Sequence, residues 1–384
     1  MSVSVPLLAR EQVEQLPIRA REIVEYRKSG LSLNHIQGCP LDCAYCIRHT
    51  YGLWDARVPR ALMSDSQAVN ELVAHRYFQP HVTPLQLFNR ATDPILPAVR
   101  PHTFAVLEDL DARGYRNHVL VITRHQMKAS DIGRLNALAN LKVTLLFTYS
   151  GIEDKRIEPY PSSVAAESLR LMSAPSYRKY RTVLYWRPLV PGLNDSPQQL
   201  HAAKYLAHSA DATVFTGLFY RDEIASYYKA NGLPEPYEDT ARRKIVPETL
   251  ESRVLAAFDE STPLFRKTSC AVSFSHGLPD YNGHAGIPEL CDICPVGQRN
   301  LCRSAHRMPT SRQLHEVAGA VPEGRGLAVL DITERAAVVS GLPDEQPRYF
   351  MQHALGFQVH DAAHPHYRGQ HGRAAIGWEG QGHD

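Results

Sequence analysis

Seven cysteines stand in this 384-residue chain and fall into two groups: Cys39, Cys43 and Cys46, then Cys270, Cys291, Cys294 and Cys302. The first three lie within "LNHIQGCPLDCAYCIRHTYG", spaced Cys-x3-Cys-x2-Cys. Soft thiolates select zinc or iron–sulfur clusters. A structural zinc site normally draws two pairs of ligands from two places. A lone triad instead suits a four-iron cluster in which one iron has no protein ligand and is open to a cofactor. The plainer reading is a zinc loop or a chance grouping. The second group supplies four thiolates, enough to ligate one [4Fe–4S] cluster or one zinc ion completely. Full ligation suits electron transfer; the plainer reading there is a zinc knuckle that staples a loop.

These groups need elements to hold them. "EQVEQLPIRAREIVEYRKSG" has the pattern of an amphipathic lead-in helix closed by Gly30, and "LSLNHI" is a strand ending just before the first cysteines. Strand-like and helix-like runs then alternate. "PLQLFN" precedes a helix that opens near Thr103 and stops at Gly114; "HVLVIT" precedes "SDIGRLNALANL", with Ser130 or Asp131 as cap. "KVTLLFT" precedes "SSVAAESLRLM", and "RTVLYWR" precedes "SPQQLHAAKYLAH", with Ser196 as cap and Pro197 in the first helical position. "ATVFTGLF" follows, and a last helix covers 248–258. Six strands, the first five each followed by a helix, predict a parallel α/β sheet with its faces covered. Periodicity leaves an open doubly wound sheet and a partial barrel as alternatives.

From about Ser269 the chain is rich in Gly, Pro and Cys with little periodicity, so metal ligation is expected to hold it in place of an apolar core. "HGLPDYNGH" (276–284) is expected at the barrel mouth. There Asp280 is a candidate general base and Tyr281 a candidate hydrogen donor or radical relay; an ordinary turn is the competing reading. No histidine is assigned as a ligand. "RGLAVLDITERAAVVSG" predicts a strand or hairpin in a small final domain, and the Gly- and His-rich end is expected to be poorly ordered. The domain scheme is a lead-in over 1–30, a barrel over 31–265, a Cys-rich segment over 266–310, a small domain over 311–360, and a tail over 361–384.

The chain is 43% hydrophobic and 21% charged, with a formal net charge of +2. That balance does not favour a nucleic-acid partner, although "YRKYR" (177–181) and "RRK" (242–244) are basic runs. No signal peptide and no membrane-spanning run is expected. A cytoplasmic setting follows, where cysteines serve metals or catalysis more often than disulfides.

Cys39-x3-Cys43-x2-Cys46, with Tyr45 just before the last cysteine, resembles the radical S-adenosylmethionine (SAM) superfamily. The resemblance implies a partial (β/α)6 barrel and a [4Fe–4S] cluster that chelates SAM. It also implies reductive cleavage to a 5′-deoxyadenosyl radical, with flavodoxin or ferredoxin as reductant. "ATDPILPAVRPHTFAVLEDLDARGYRNHVLVITRH", "KRIEPYPSS" and "RPLVPGLND" resemble the branch containing spore photoproduct lyase, over roughly residues 30–220.

By that resemblance Asn89, Arg90, Thr92 and Asp93 face the SAM amino group or the substrate. Arg124 and Arg187 are candidates for the SAM carboxylate, and Thr148 and Ser150 for its ribose. Each is equally what an ordinary polar residue at a strand end looks like. The lyase's hydrogen-donating cysteine has no counterpart, since no cysteine lies between Cys46 and Cys270. Cys270-x15-Gly286-x4-Cys291 resembles the first half of auxiliary-cluster domains, but Cys294-x7-Cys302 departs from their continuation. The expected activity is oxidation, epimerisation or rearrangement of a small-molecule, sugar-derived or peptide substrate. Nucleic-acid modification is one alternative, and a non-catalytic zinc or iron–sulfur protein another.

Overall fold

The computed structural model describes residues 5–240, 246–259 and 261–363. The basic run at 242–244 and the end of the chain from 364 lie outside them. The expected single lead-in helix does not form. Two short helices, α1 (Arg10–Glu14) and α2 (Ile18–Arg21), are separated at Pro17, and the chain then becomes strand β1 (Val24–Arg27). Proline has no amide hydrogen to continue a helix and pushes its predecessor out of the α region. Val24 and Tyr26 suit a strand, and β1 pairs antiparallel with β2 (Gly30–Leu33).

The short antiparallel strands β3 (Ile36–Gln37) and β4 (Arg60–Ala61) flank the first cysteine loop. Helix α3 (Asp65–Ala74) follows, capped reciprocally by Ser64 and Gln67. The alternating run comes next: β5 (Leu85–Leu87), α4 (Arg100–Ala112), β6 (His118–Thr123), α5 (Ala129–Ala137), β7 (Lys142–Tyr149), α6 (Ser162–Ser173), β8 (Arg181–Leu189), α7 (Pro197–Ala207) and β9 (Ala212–Gly217). Ser196 and Pro197 open α7 as expected. The cap of α5 is displaced: Lys128 takes that position, and its amide donates to Asp131, which sits one turn inside.

Helices α8 (Asp222–Ala230) and α9 (Glu248–Ala257) lead to β10 (Leu264–Phe265), a further parallel strand beside β9. The sheet order is β1-β2-β5-β6-β7-β8-β9-β10, parallel from β2 onward. This is the expected α/β partial barrel, with an antiparallel strand added at one edge.

Alternation along the strands divides the core in two. Val119, Val121, Val143, Leu145, Leu184 and Trp186 join the helices on the outer face. Leu120, Leu146, Val183, Tyr185 and Val214 form a separate cluster on the inner face. That inner face is covered by α10 (Thr268–Ser275), through Ala271, Val272 and Phe274. The Cys-rich segment is therefore held by apolar burial as well, contrary to expectation. It continues as α11 (Pro288–Cys291) and α12 (Val296–Ala305).

Helix α13 (Ser311–Gly319) precedes a sheet of β11 (Ala328–Ile332), β12 (Ala336–Ser340) and β13 (Gln358–Asp361), with α14 (Glu345–Leu355) between the last two. The hairpin read from the sequence is β11–β12. Leu314, Phe350, Met351 and Val359 share one hydrophobic cluster with the outer face of the barrel. Asn282 and Tyr26 bond α14 to the rest: the Asn282 amide oxygen accepts from Gln352 Nε2 (2.6 Å) and His353 Nε2 (2.7 Å), and Tyr26 donates to His353 Nδ1 (2.9 Å).

Candidate active site and metal centres

The first cysteine loop is pinned at several points. Gly38 has φ +108°, and a Cβ there would lie 2.3 Å from the Val58 carbonyl oxygen, so only glycine fits before Cys39. The Cys39 amide donates to Ala56 O (2.9 Å) and the Ala44 amide to Ile157 O (3.0 Å). Arg48, 2% exposed, donates to the carbonyls of Leu41, Trp54 and Ala56 at 2.6, 3.3 and 3.0 Å. A buried guanidinium spent on backbone oxygens holds the loop folded.

Cys39 and Cys43 are buried and Cys46 is partly so; none forms a disulfide. Burial pushes the Cys39 and Cys43 thiols up, against the pull of Arg48 on the first and Arg124 on the second. Among the described residues, no three cysteine sulfurs lie within 4.8 Å of one another. Ligands of one tetrahedral zinc at a Zn–S distance of about 2.3 Å would be roughly 3.8 Å apart.

Arg124, just beyond β6, donates through Nη1 to Cys43 Sγ (3.1 Å), Tyr45 Oη (2.6 Å) and both carboxylate oxygens of Glu158 (2.8 Å each). Tyr45 also donates to Glu158, and Ser150 Oγ donates to the same carboxylate (3.1 Å). Burial alone would lower the Arg124 pKa, but Cys43, Glu158 and Tyr45 hold it well above the usual value. Glu158 was not singled out in the sequence. It lies in "KRIEPYPSS", and nothing there distinguishes it from Glu153 and Asp154 a few residues earlier.

Arg124, Tyr45 and Ser150 thus come together at the cysteine loop. Asp93 braces Arg124 from behind: it accepts from Thr123 Oγ1 (2.7 Å) and the amides of Ile95 (2.8 Å) and Arg124 (3.0 Å). Arg90 is 1% exposed, pairs with Glu25 (3.1 Å) and donates to the Glu22 carbonyl. Asn89 accepts from Ser32 (2.8 Å) and donates to Gln86. These three side chains are committed to the fold, whereas the Thr92 hydroxyl is buried without a partner. Thr148 pairs with Tyr185 across the ladder on the inner face, and Arg187 lies two residues further along the strand. Arg187 Nη1 donates to Tyr185 Oη (2.9 Å). The inner face is thus apolar along its middle and polar at its carboxyl end, beside the cysteine loop.

The "HGLPDYNGH" segment lies at the other end. His276 bonds Thr144 (2.9 Å), and Tyr281 packs on His118 (5.3 Å between ring centroids), both near the amino ends of their strands. The expectation of a position at the mouth is corrected: α10 runs down the inner face and delivers its end to the base of the sheet. Burial pushes the Tyr281 phenol well up, and its oxygen has no hydrogen-bond partner.

The four later cysteines gather here, each buried enough for its thiol to be pushed up, with mutual repulsion adding to the rise for Cys270 and Cys294. "YRKYR" is not a free basic patch: Arg178 pairs with Asp211 (2.8 Å) and Arg181 donates to Ser275 O (2.7 Å).

Fold and site together define a class: a partial parallel α/β barrel with a three-cysteine loop at the carboxyl edge of its sheet. Among solved structures the chain is similar to a mutant spore photoproduct lyase at 11% identity and a TM-score of 0.46, over 62% of this chain and 76% of that one. The same lyase complexed with dinucleoside spore photoproduct gives 11% and 0.44, over the same shares. Streptococcus suis SuiB bound to precursor peptide SuiA gives 13% and 0.41, over 58% of this chain and 44% of that one. These low scores describe fold only, and the function proposed below rests on the residues of the site. No family model and no curated relative matches the chain. Among the described residues, no helix is long and apolar enough to cross a membrane.

Proposed function

We propose that the chain is a radical SAM enzyme. The observation that carries this is the Cys39–Cys43–Cys46 loop, its three thiols free of disulfides and set against Arg124 at the carboxyl edge of a parallel sheet. The three cysteines would hold a [4Fe–4S] cluster with SAM at the open iron. Bound there, the group would supply, on one-electron reduction, radical chemistry for removing hydrogen from an unactivated C–H bond.

The chain's own part is to bind, orient and exclude water. Arg124, fixed by Glu158, keeps a positive charge against Cys43. Arg187, Thr92, Thr148 and Ser150 are the candidates to meet SAM or substrate. Asp93 acts on Arg124 through the backbone amide it accepts from, while Asn89 and Arg90 hold the neighbouring strands. Cys270, Cys291, Cys294 and Cys302 would form a second metal centre, iron–sulfur or zinc, beneath the inner face.

With no cysteine on the barrel strands, the lyase's own reaction is not carried over. The reaction class is oxidation, epimerisation or rearrangement of a small-molecule, sugar or peptide substrate, with flavodoxin or ferredoxin as reductant, in the cytoplasm.

The test is anaerobic reconstitution with iron and sulfide counts, then SAM, dithionite and a 5′-deoxyadenosine assay. A Cys39→Ala/Cys43→Ala/Cys46→Ala variant is run alongside. About four irons lost with the triad, together with cleavage, supports the reading. No cleavage by a fully reconstituted protein rejects it.

A further inference from the structure

No histidine was assigned as a ligand from the sequence, yet one stands in the second centre. Cys270 Sγ, a carboxylate oxygen of Asp280 and a ring nitrogen of His284 all lie within 4.8 Å of one another, the only such set among the described residues. His284 Nδ1 is 3.0 Å from Asp280 Oδ2 and 3.8 Å from Cys270 Sγ. Around one tetrahedral zinc-class ion, with metal–oxygen and metal–nitrogen distances near 2.1 Å and metal–sulfur near 2.3 Å, oxygen–nitrogen and nitrogen–sulfur separations would be about 3.4 and 3.6 Å. The observed spacings, one shorter and one longer, bracket these within about 0.4 Å, so a small movement of the side chains would seat an ion.

Both the Asp280 and His284 side chains are 2% exposed. The second oxygen of Asp280, Oδ1, is buried without a hydrogen-bond partner. An orphaned carboxylate oxygen in such a place is costly unless something cationic meets it. The other cysteines crowd the same turn: the Asp280 amide donates to Cys302 Sγ (3.4 Å), and Cys291 Sγ donates to the His284 carbonyl (3.5 Å). A carboxylate, an imidazole and a thiolate together suit a borderline divalent ion. A neutral imidazole also adds no further negative charge to a buried group of thiolates.

We propose that Cys270, Asp280 and His284 bind a single zinc-class divalent ion, with a nearby thiolate of Cys291 or Cys302 available to complete it. This deepens the reading of a second metal centre and chooses the single-ion form of it; it does not depend on the first cysteine loop.

The test uses the full-length Cys39→Ala/Cys43→Ala/Cys46→Ala variant, stripped of metal and titrated anaerobically with cobalt(II). One equivalent should bind, with a sulfur-to-cobalt absorption band. His284→Ala in that background should weaken binding at least roughly tenfold, and Asp280→Asn by a similar factor. His284→Cys should restore binding with a stronger sulfur-to-cobalt band. Unchanged affinity in His284→Ala, no stoichiometric binding in the parent, or failure of His284→Cys to bind would each overturn the proposal. SAM cleavage by the parent chain is measured separately, so either reading can fail without the other.

Discussion

Arg124 Nη1 lies 2.8 Å from each carboxylate oxygen of Glu158 and 3.1 Å from Cys43 Sγ, so one guanidinium links an unforeseen acid to a proposed cluster ligand. The side chains of Arg124 and Glu158 are 17% and 4% exposed, so the acid is buried and the guanidinium largely so. Glu158→Ala would leave the partly exposed Arg124 charge without its carboxylate and should cost about 1–3 kcal/mol, less than for a fully buried pair. Adding Arg124→Ala should recover part of that loss. Urea unfolding of both variants checks this, and additive losses would argue against coupling.

Stability should fall as pH falls below 6.5. Burial depresses His118 and His353 to about 3 and His276 to about 4. In that interval the folded chain binds fewer protons than the unfolded one, so acid favours unfolding. Each such histidine contributes a slope approaching ~1.4 kcal/mol per pH unit. His118→Gln should reduce the measured slope between pH 6 and 4 by about one proton. An unaltered slope would show that His118 titrates normally.

Two glycines of the Cys-rich segment should behave differently. Gly283 has φ +72°, and a Cβ there would come within 2.4 Å of the Phe357 backbone. Gly286 has φ +78° with nothing within 4 Å. Gly286→Ala should cost only the left-handed strain, about 1–2 kcal/mol. Gly283→Ala must also displace the strand entry at Phe357 and should cost more. Comparing their thermal midpoints decides whether close approach or conformation dominates.

Asn282→Ala should loosen the last sheet and helix from the barrel. It removes the acceptor for Gln352 and His353 and leaves two buried donors unmet, at about 1–3 kcal/mol each. The expected sign is faster hydrogen exchange in α14 before the barrel strands exchange. Simultaneous exchange of both would mean that they open as one unit.

The sequence by itself determined the alternating elements, because continuous apolar runs such as "HVLVIT" and "KVTLLFT" and helical spacing such as Ile132, Leu135 and Leu138 are local signals. It also showed the two cysteine groups, since three thiols in eight residues need no partner from elsewhere. Where an element's fate depended on distant packing, the pattern misled. The segment ending at Arg27 looks helical but pairs as an edge strand against β2.

Only the tertiary structure brought Glu158 to Cys43, across 115 residues, and His284 to Cys270. It also laid α10 along the inner face, which put Asp280 and Tyr281 at the base of the sheet. Such long-range juxtapositions follow from how strands stack and which face a helix covers. Two acids alike in sequence, Glu153 and Glu158, therefore differ in role because only Glu158 is buried against Arg124.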